Sequence, residues 1–407
     1  MNNVLDNHPI RECTSCQVCA AVCPHNAISI GLNVEGFYRP FIDNELCVNC
    51  GLCKMSCYKY DKHILDTSDD LLQEKKFFSA WSLDEDVLKN TTSGGVSDVL
   101  AKELLQLGYK VLGVVYDDDK ARAEHRTANH QEELKLFRGS KYIQSYTLDA
   151  FKEVLAYGRK EKYAIFGTPC QIYAIAKVVE RLKIRENFFL VDLFCHGCPS
   201  LLSWQKYIKE IKLRVNIDSF DVVKFRSKIR GWGRYCIEAE VNGRTVYFSN
   251  KYNDPFFELF FSDHILNNSC ANCRFRSSLE YSDIRIGDFW GRQFVGNKKG
   301  VSAVCVSTKK GREVFDKLKD VESHLCDYDG LLSAQSWRKS YEVDIEARRA
   351  LLDYLASSGH RMKDVIKVLH KQQNLKKNVY RYIKVLLEFL PRPITDNIKK
   401  LYYRISE

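Results

Sequence analysis

Two runs of four cysteines near the N-terminus constrain the fold of this chain more than any other feature. Their spacings are Cys13-x2-Cys16-x2-Cys19-x3-Cys23 and Cys47-x2-Cys50-x2-Cys53-x3-Cys57. In this pattern three cysteines of one run bind one 4Fe–4S cluster, and the fourth binds the other cluster. Structural zinc sites use two pairs of ligands separated by a finger instead. The spacing therefore predicts two 4Fe–4S clusters, one held by Cys13, Cys16, Cys19 and Cys57, the other by Cys47, Cys50, Cys53 and Cys23.

The segment that carries these runs, residues 1–65, resembles a bacterial 2×4Fe–4S ferredoxin. Tyr58 departs from the pattern, since such ferredoxins often have proline after the last cysteine, and this change concerns a turn rather than a ligand. The resemblance implies a small ferredoxin-like domain. Clusters of this kind pass single electrons and perform no bond chemistry alone, so the domain needs a redox partner.

Charge and cysteine content narrow the class of protein. The 407-residue chain has 62 Lys and Arg against 52 Asp and Glu, and residues 359–407 hold twelve of the basic residues and four of the acidic ones. The N-terminal sequence lacks the charged and apolar regions of a secretory signal, and no apolar stretch approaches the roughly 20 residues of a membrane-spanning helix. Clustered thiols then favour metal ligands over disulfides, and we expect a cytoplasmic protein.

The central part of the chain, residues 66–340, alternates short apolar runs with amphipathic stretches. This pattern predicts an α/β (α+β) domain with a mixed sheet, preceded by a polar connector over residues 60–80. No G-x-G-x-x-G follows a predicted strand and no G-x4-G-K-[ST] is present in the sequence, so a standard dinucleotide fingerprint and a P-loop are both excluded. The predicted strands include 110–116, 163–166, 188–194, 220–225, 235–241, 245–249, 283–286 and 301–307, and the predicted helices include 148–158, 172–181 and 201–213.

Five short loops rich in Gly, Ser and Thr lie at predicted strand ends or helix starts. They cover residues 92–95, 139–145, 167–171, 195–200 and 287–291. Backbone N–H groups at a helix start and small hydroxyl side chains suit a diphosphate. Each loop alone is equally well explained as a turn or an N-cap. Because such loops gather at the carboxyl ends of strands, five together favour a ligand site.

The same loops carry a family resemblance. TSGG at 92–95, SKYIQS at 140–145, GTPCQ at 167–171, DLFCHG at 192–197, CANC at 270–273 and DIRIGDFWG at 283–291 resemble the beta subunit of coenzyme F420 hydrogenase/dehydrogenase. The similarity spans about residues 10–340. It implies an iron–sulfur flavoprotein whose body binds FAD and exchanges electrons with F420 or another two-electron substrate. The residues expected to bind FAD are Ser93, Gly94, Gly95, Lys141, Gln144, Ser145, Thr168 and Gln171.

The resemblance also implies a third cluster close to the flavin. One C-x2-C pair and two single cysteines from neighbouring loops could supply four thiolates to one cube. The expected ligands are Cys170, Cys195, Cys270 and Cys273. Cys198 is the alternative to Cys195, and a four-thiolate zinc site is the alternative to the cluster. Cys236, Cys305 and Cys326 lie in or beside apolar segments, where cysteine acts as a small hydrophobe.

Further residues are candidates for proton transfer and for binding substrate. His196 has a pKa suited to proton donation near neutrality, although a loop histidine that bonds only backbone is an equal alternative. Asp288 is expected either to orient the flavin or substrate or to cap its turn. Arg226, Lys228 and Trp232 would clamp an anionic substrate against an aromatic ring. The alternative for this basic stretch is a solvated edge strand.

Residues 341–407 form a basic extension that lies outside the family resemblance. Apolar residues recur at helical spacing from Val365 to Leu390, and a second short helix is predicted over 394–405. The extension would pack on the body with a solvated basic face, lie on an anionic membrane surface, or bind an acidic redox partner. Nucleic acid is the least favoured ligand, because only the charge of this segment supports it.

Two functions compete at this point. The favoured one is an enzyme, a flavin-dependent iron–sulfur oxidoreductase that passes electrons between 4Fe–4S clusters, FAD and a two-electron organic substrate. The other is a non-catalytic subunit that relays electrons to a partner enzyme. The expected partners are a ferredoxin, an enzyme subunit or a small-molecule electron carrier, with a homo-oligomer left open. A catalytic subunit needs a cavity beside the flavin, whereas a relay does not.

Overall fold

The computed structural model describes residues 2–5, 12–373 and 375–405. Within them the strands are β1 (Ile28–Leu32), β2 (Tyr38–Ile42), β3 (Lys76–Ser82), β4 (Tyr109–Asp117), β5 (Arg122–Ala128), β6 (Ser145–Tyr146), β7 (Lys162–Phe166), β8 (Phe188–Leu193), β9 (Val222–Ser227), β10 (Cys236–Val241), β11 (Arg244–Phe248), β12 (Ile284–Asp288), β13 (Ser302–Val306) and β14 (Val321–Leu325). The α-helices are α1 (Val18–Ala21), α2 (Leu52–Met55), α3 (Asp69–Glu74), α4 (Glu85–Asn90), α5 (Val96–Gln106), α6 (Leu148–Tyr157), α7 (Pro169–Arg181), α8 (Leu201–Val215), α9 (Pro255–Phe260), α10 (Asn268–Ala271), α11 (Lys309–Phe315), α12 (Tyr328–Ser333), α13 (Ile345–Ala356), α14 (Met362–Gln372), α15 (Leu375–Glu388) and α16 (Arg392–Ile405).

The N-terminal domain is small and built around its cysteines. Strands β1 and β2 form an antiparallel hairpin, and the short helices α1 and α2 each carry one buried cysteine, Cys19 and Cys53. Both helices begin after a residue with positive φ, Gln17 at 65° and Gly51 at 79°. These tight turns bring the cysteines before each helix close to those within it.

A large mixed sheet forms the body of the protein. Its strand order is β14-β3-β13-β12-β8-β7-β4-β5-β6. The four central strands β12, β8, β7 and β4 run parallel, so their carboxyl ends meet at one edge. Helices α5 and α11 cover one face of this sheet, and α6 and α7 cover the other, each over its own apolar core. The mixed α/β fold predicted from the sequence is therefore confirmed.

The connector predicted for residues 60–80 is wrong in its second half. Residues 69–74 form α3, and β3 pairs with β13 and β14 in the large sheet. The apolar side chains of Phe77, Phe78 and Ala80 are buried, but the polar residues before them hide the strand pattern. Strand β5 was also not predicted, because its charged residues pair with one another: Arg122 and Arg126 both donate to Glu124.

A second, three-stranded antiparallel sheet of order β11-β10-β9 packs beside the large one. Its core contains Phe225, Trp204 from α8 and Phe256 from α9. Helices α13 and α14 complete this core with apolar residues that include Leu351 and Val365. The first part of the C-terminal extension therefore packs against the body.

The single long helix predicted from Val365 to Leu390 is two helices, α14 and α15. The part within α14 buries Val365 and Leu369, whereas Leu386 in α15 is 66% exposed. The helix predicted over 394–405 is confirmed as α16. None of the helices in the described ranges is both long and apolar enough to cross a membrane.

Candidate functional site

Two small cavities in the N-terminal domain are each bordered by four cysteines. Cys13, Cys16, Cys19 and Cys57 border the first. Cys23, Cys47, Cys50 and Cys53 border the second. Each cavity thus takes three cysteines from one run and the fourth from the other run. Within the described residues no three His, Cys, Asp or Glu side chains meet the spacing of a single-ion site. A void ringed by four thiols suits a cube with one thiolate per iron.

A third cavity lies between the N-terminal domain and the large sheet. The cysteines that border it are Cys170, Cys195, Cys198, Cys270 and Cys273. Three separate parts of the body supply them: the first turn of α7, the loop after β8, and the segment around α10. The structure thus brings together all four predicted ligands of the third cluster, with the predicted alternative Cys198 beside them.

Two buried arginines give this third cavity a positive surround. Arg285 pairs with Asp192, its Nε lying 2.7 Å from Oδ1, and Arg276 donates to the carbonyl of His196 at 2.7 Å. A hydrogen bond from Cys198 lowers the pKa of the Cys195 thiol, and the charges of both arginines lower it further. The arginines thus favour a thiolate at Cys195, whereas burial raises the pKa of the thiols of Cys170, Cys270 and Cys273 in the same cavity.

Gln17 of the N-terminal domain forms three hydrogen bonds with backbone groups of the body. Its side-chain oxygen accepts from the backbone N–H groups of Thr147 at 2.9 Å and Leu148 at 3.1 Å, and its amide donates to the carbonyl of Ser145 at 3.3 Å. Gln17 is 2% exposed. Three satisfied backbone groups at a buried interface fix the domain against the start of α6.

Tyr58 also belongs to this interface. Its ring lies 5.8 Å from that of Phe275, and both belong to one apolar cluster that also includes Cys16, Cys170 and Cys273. It therefore lies between the first and third cysteine-lined cavities. The departure from the ferredoxin pattern at Tyr58 does more than reshape a turn, because it fills the space between two cysteine groups.

A cleft of about 630 Å³ opens at the carboxyl ends of β7, β8 and β12. This volume lies within the usual range of about 300–1,000 Å³ for ligand sites. Most of the residues predicted to bind FAD line it, namely Ser93, Gly95, Lys141, Ser145, Thr168 and Gln171. Helix α7 begins at this edge, with Thr168 as its N-cap. Pro169 has no N–H, and the N–H groups of Thr168 and Gln171 are already bonded within the capping box. A phosphate here would therefore meet the positive end of the helix dipole rather than a set of free N–H groups.

Gly94 and Gln144 do not line the cleft. Gly94 supports the loop from behind: a Cβ there would lie 2.4 Å from the carbonyl oxygen of Ala80 and 2.8 Å from the nitrogen of Ser302. Gln144 is 3% exposed and faces the N-terminal domain, where its amide lies 3.5 Å from the carbonyl oxygen of Ser15. Both residues were predicted to bind FAD because they are next in sequence to residues that do line the cleft.

Lys141 holds its loop closed at the cleft wall. Its ammonium donates to three backbone carbonyls, those of Leu136 at 3.3 Å, Phe137 at 3.2 Å and Arg138 at 3.0 Å. Burial lowers the pKa of Lys141 to about 7. Since no carboxylate is among these partners, an anion in the cleft would supply the missing charge.

Arg226 and Asp288 lie together at another part of the cleft wall. The Arg226 guanidinium donates to Asp288 and, at 3.0 Å, to the hydroxyl of Tyr142. It also lies over the rings of Tyr235, at 4.1 Å, and Trp290, at 5.1 Å. Among the described residues nothing accepts a hydrogen bond from its Nε or Nη2, although both atoms are buried. Two unused donors in a cleft wall fit a ligand with oxygen or nitrogen acceptors.

Lys228 and Trp232 do not line the cleft, which corrects part of the predicted substrate clamp. Trp232 is buried behind Trp290, with stacked rings 4.3 Å apart, and its Nε1 donates to Asp288 at 2.8 Å. Lys228 donates to the carbonyl of Ser93 at 2.8 Å. Of these two stacked indole rings, that of Trp290 lines the cleft, and sequence reasoning did not select it.

His196 borders both the third cysteine cavity and the cleft. Both ring nitrogens are engaged: Nε2 lies 2.7 Å from Oδ1 of Asp263, and Nδ1 lies 2.8 Å from the hydroxyl of Tyr341. The backbone-only alternative for this histidine is thus wrong. Asp263 and Tyr341 carry no sequence signal, because they lie 67 and 145 residues away from His196.

Family profiles match most of the chain. The N-terminal profile of the coenzyme F420 hydrogenase/dehydrogenase beta subunit matches residues 77–152, and the C-terminal profile matches residues 160–326. A 4Fe-4S dicluster domain matches residues 12–59.

Individual relatives agree with these profiles. One subunit of the F420H2 dehydrogenase of Methanosarcina mazei is 25% identical over 76% of this chain and 82% of its own length. The beta subunit of the coenzyme F420 hydrogenase of Methanococcus voltae is 24% identical over 60% of this chain and 81% of its own. A chain of the F420-reducing NiFe hydrogenase complex from Methanosarcina barkeri superposes with a TM-score of 0.48 at 19% identity, covering 70% of this chain and 94% of that one. With the matched profiles covering the cysteine runs, the loops and the cleft just described, the chain belongs to the coenzyme F420 hydrogenase/dehydrogenase beta subunit family and carries a 4Fe-4S dicluster domain at its N-terminal end.

Proposed function

We propose that this protein is a flavin-dependent iron–sulfur oxidoreductase with three 4Fe–4S clusters and one FAD. The observation that carries the proposal is the order of the four cavities. Cys19 of the first cavity and Cys53 of the second belong to one apolar cluster of the N-terminal domain. Thr14 borders both the first and the third cavities, and the third shares several residues with the cleft. The shared residues are Phe194, Cys195, His196, Gly197, Cys198 and Ser336. A continuous row of this kind suits electron transfer from one end to the other.

Each group in the row has a set of residues to hold it. The eight N-terminal cysteines would hold two clusters, and Cys170, Cys195, Cys270 and Cys273 the third. Ser93, Gly95, Lys141, Ser145, Thr168 and Gln171 would bind FAD, with the N-terminus of α7 facing its diphosphate. FAD supplies the step between single electrons from clusters and electron pairs for an organic substrate.

The remaining cleft residues would then act on the substrate. Arg226, fixed by Asp288, offers two free donors beside the Trp290 ring. This combination suits a flat molecule with polar edges, such as a deazaflavin of the F420 kind or another small redox molecule. His196, held by Asp263 and Tyr341, would keep a proton near the end of β8.

The second candidate function is a non-catalytic relay subunit. Relatives named as hydrogenase and dehydrogenase subunits favour it, since they work beside partner subunits. The wide cleft favours the enzyme, because a relay needs no room for a substrate beside its flavin. For either function we assign the cytoplasm as the compartment, where reducing conditions keep cluster ligands as thiols.

Iron and flavin content of the anaerobically purified protein tests the proposal. We expect about twelve irons and one FAD, and about eight irons in the Cys273→Ser variant. Cys326→Ser, which changes a half-buried cysteine outside all four cavities, should keep about twelve. About eight irons in the parent protein would show that the third cluster is not formed. Absence of flavin even after reconstitution would reject the proposal that the protein is a flavin-dependent enzyme. Reduction assays with reduced F420, NADH and reduced ferredoxin would then identify the electron donor.

A further inference from the structure

The last two helices expose an unusual number of large apolar side chains. Within residues 379–401 each of these side chains is at least 37% exposed. They are Val379, Tyr380, Tyr382, Ile383, Leu386, Phe389, Leu390, Ile394, Ile398 and Leu401. We call this set the tail face. Exposed apolar residues scattered singly need no explanation, but ten of them within 23 residues of two consecutive helices indicate an interaction surface.

The tail face points outward because α15 turns its polar side to the body. Arg381 contacts Glu258 of α9, the Nη1–Oε2 distance being 3.3 Å. Residues two positions apart on a helix lie about 200° apart around its axis. Val379 and Ile383, two positions either side of Arg381, therefore lie on the far side of the helix, and they are 49% and 47% exposed.

Helix α16 is attached in a similar manner. Thr395 is 7% exposed and accepts a hydrogen bond from Arg234 at 2.9 Å, and Arg234 also donates to the carbonyl of Leu390 at 3.0 Å. Ile394 and Leu401 remain 47% and 56% exposed. This arrangement is the reverse of an amphipathic helix packed on a globular core, where the apolar side faces inward.

The positive charge of the C-terminal segment indicates which kind of partner would bind the tail face. Residues 375–405 contain eight Lys or Arg and two Asp or Glu. On α14 the exposed lysines Lys363, Lys367 and Lys371 follow one another at four-residue spacing, on one side of the helix. A second copy of this chain would place two such positive segments against each other, which disfavours self-association. An anionic surface with an apolar interior complements both properties.

We infer that α15 and α16 dock this protein on an anionic lipid surface, with the tail face in the headgroup–acyl boundary and the lysines near the lipid phosphates. Amphipathic helices rich in basic residues, with aromatic and aliphatic residues on the other side, bind membranes in this way without crossing them. Each helix is about 21 Å long, enough for three to four turns in the interface. Juxtamembrane lysines add to binding through the negative surface potential.

The attachment points of the two helices connect this surface to the cleft. Arg234 precedes Tyr235, which lines the cleft, and the Lys384 ammonium lies 5.8 Å from the ring of Tyr252, which follows the lining residue Lys251. Docking would therefore bring this side of the cleft close to the bilayer. The docking itself does not depend on which cofactor or substrate the cleft holds.

Co-sedimentation of the full-length holoprotein with vesicles tests the inference. One vesicle population contains equal parts of phosphatidylglycerol and phosphatidylcholine, and the other contains phosphatidylcholine alone. We expect binding to the anionic vesicles to be at least about tenfold stronger and to weaken as salt is raised from about 0.05 M to about 0.5 M. Failure of the protein to pellet with anionic vesicles at low salt would overturn the inference.

Variants distinguish binding through the tail face from non-specific binding of the protein to vesicles. The double variant Leu386→Glu/Phe389→Glu should bind at least about tenfold more weakly, since it removes two apolar anchors and adds two charges. Leu213→Glu changes a leucine that is 72% exposed on α8 and should bind as the parent does. Equal loss in both variants, or no loss in the double variant, would refute the assignment.

Two further measurements test whether the double variant folds and whether the tail face binds a second copy of the chain. Iron content, measured on every variant, reports whether the double variant folds; if it does not, Lys363→Gln/Lys367→Gln/Lys371→Gln should still weaken binding to anionic vesicles at low salt. Light scattering reports the oligomeric state. A dimer that the double variant converts to a monomer would assign the tail face to a second copy and overturn the lipid assignment.

Discussion

The guanidinium of Arg226 and the carboxylate of Asp288 form an ion pair inside the protein, with their side chains 3% and 15% exposed. The second oxygen of Asp288 accepts from the indole of Trp232, so the acid is held from two sides. This pair joins β9 of the small sheet to β12 of the large one. It therefore fixes both the cleft wall and the packing of the two sheets.

We expect Asp288→Asn to lower the free energy of unfolding by about 3–5 kcal/mol. The amide keeps an acceptor for Trp232 but leaves the buried charge of Arg226 without its counterion. Denaturant titration of the anaerobic protein measures the change. Glu85→Gln is the control, because it breaks an exposed pair with Lys299, and we expect a change within about 0.5 kcal/mol. A loss below about 1 kcal/mol in Asp288→Asn would mean that Arg226 does not depend on this partner.

The loop at Gly94 provides a second prediction. Gly94→Ala places a methyl group 2.4 Å from a backbone oxygen of β3 and 2.8 Å from a backbone nitrogen of β13. Neither of these paired strands can move away without disturbing the sheet. We expect a loss of about 1–3 kcal/mol in the free energy of unfolding, together with reduced flavin content after reconstitution. Gly233→Ala, where nothing lies within 4 Å of the added methyl, should leave both measurements unchanged. Normal flavin content in a destabilised Gly94→Ala protein would mean that the loop at residues 92–95 does not contribute to FAD binding.

Local patterns predicted much of this fold. The predicted strand over 188–194 and the predicted helices over 148–158 and 201–213 are confirmed within two residues at each end, because apolar periodicity reports directly on buried faces. The loops after β7, β8 and β12 meet at one edge because these strands are parallel and adjacent. That adjacency explains why Thr168 and Gln171, which follow β7, share a cleft with the residues after β8 and β12. The other four residues selected for FAD that line the cleft reach it from loops elsewhere in the fold: Ser93, Gly95, Lys141 and Ser145.

Other features depend on long-range contacts that no local pattern contains. The basic stretch predicted that the ring of Trp232 contacts a substrate, yet it stacks on Trp290, 58 positions later in the chain. Asp263 and Tyr341 reach His196 only through the tertiary fold. The amphipathic pattern of α15 predicted a helix correctly but not which side faces the body, since an apolar side can meet a core or another surface equally well.

The choice between Cys195 and Cys198 as a cluster ligand is testable by substitution. Both border the third cavity, but Cys198 is 8% exposed, and its interaction with Cys195 raises the pKa of the Cys198 thiol and lowers the pKa of the Cys195 thiol. We expect Cys195→Ser to lose about four irons and Cys198→Ser to keep about twelve. Iron analysis and the low-temperature spin resonance of the reduced protein provide the readout. The opposite pattern of iron loss would assign Cys198 as the ligand.

If FAD binds in the cleft as proposed, we expect Lys141 to make its affinity dependent on pH. Burial lowers the pKa of its ammonium to about 7 in the free protein, so at pH 8 it is mostly neutral. A diphosphate beside it would raise that pKa, and binding would take up a proton. We expect uptake approaching one proton per FAD near pH 8, and an affinity for FAD that falls as the pH rises from 7 to about 9. Calorimetric titrations in buffers with different ionisation enthalpies measure the uptake.

A matched pair of lysine variants assigns that proton. Lys141→Gln should abolish the uptake and flatten the pH dependence, because it removes the only group invoked for it. Lys228→Gln is the control: burial lowers the pKa of Lys228 to about 8, but its side chain lies outside the cleft, bonded to backbone carbonyls. The uptake should persist in this variant. Since Lys228 also supports Ser93, its loss can weaken FAD binding, but the number of protons taken up distinguishes that effect from the loss of Lys141.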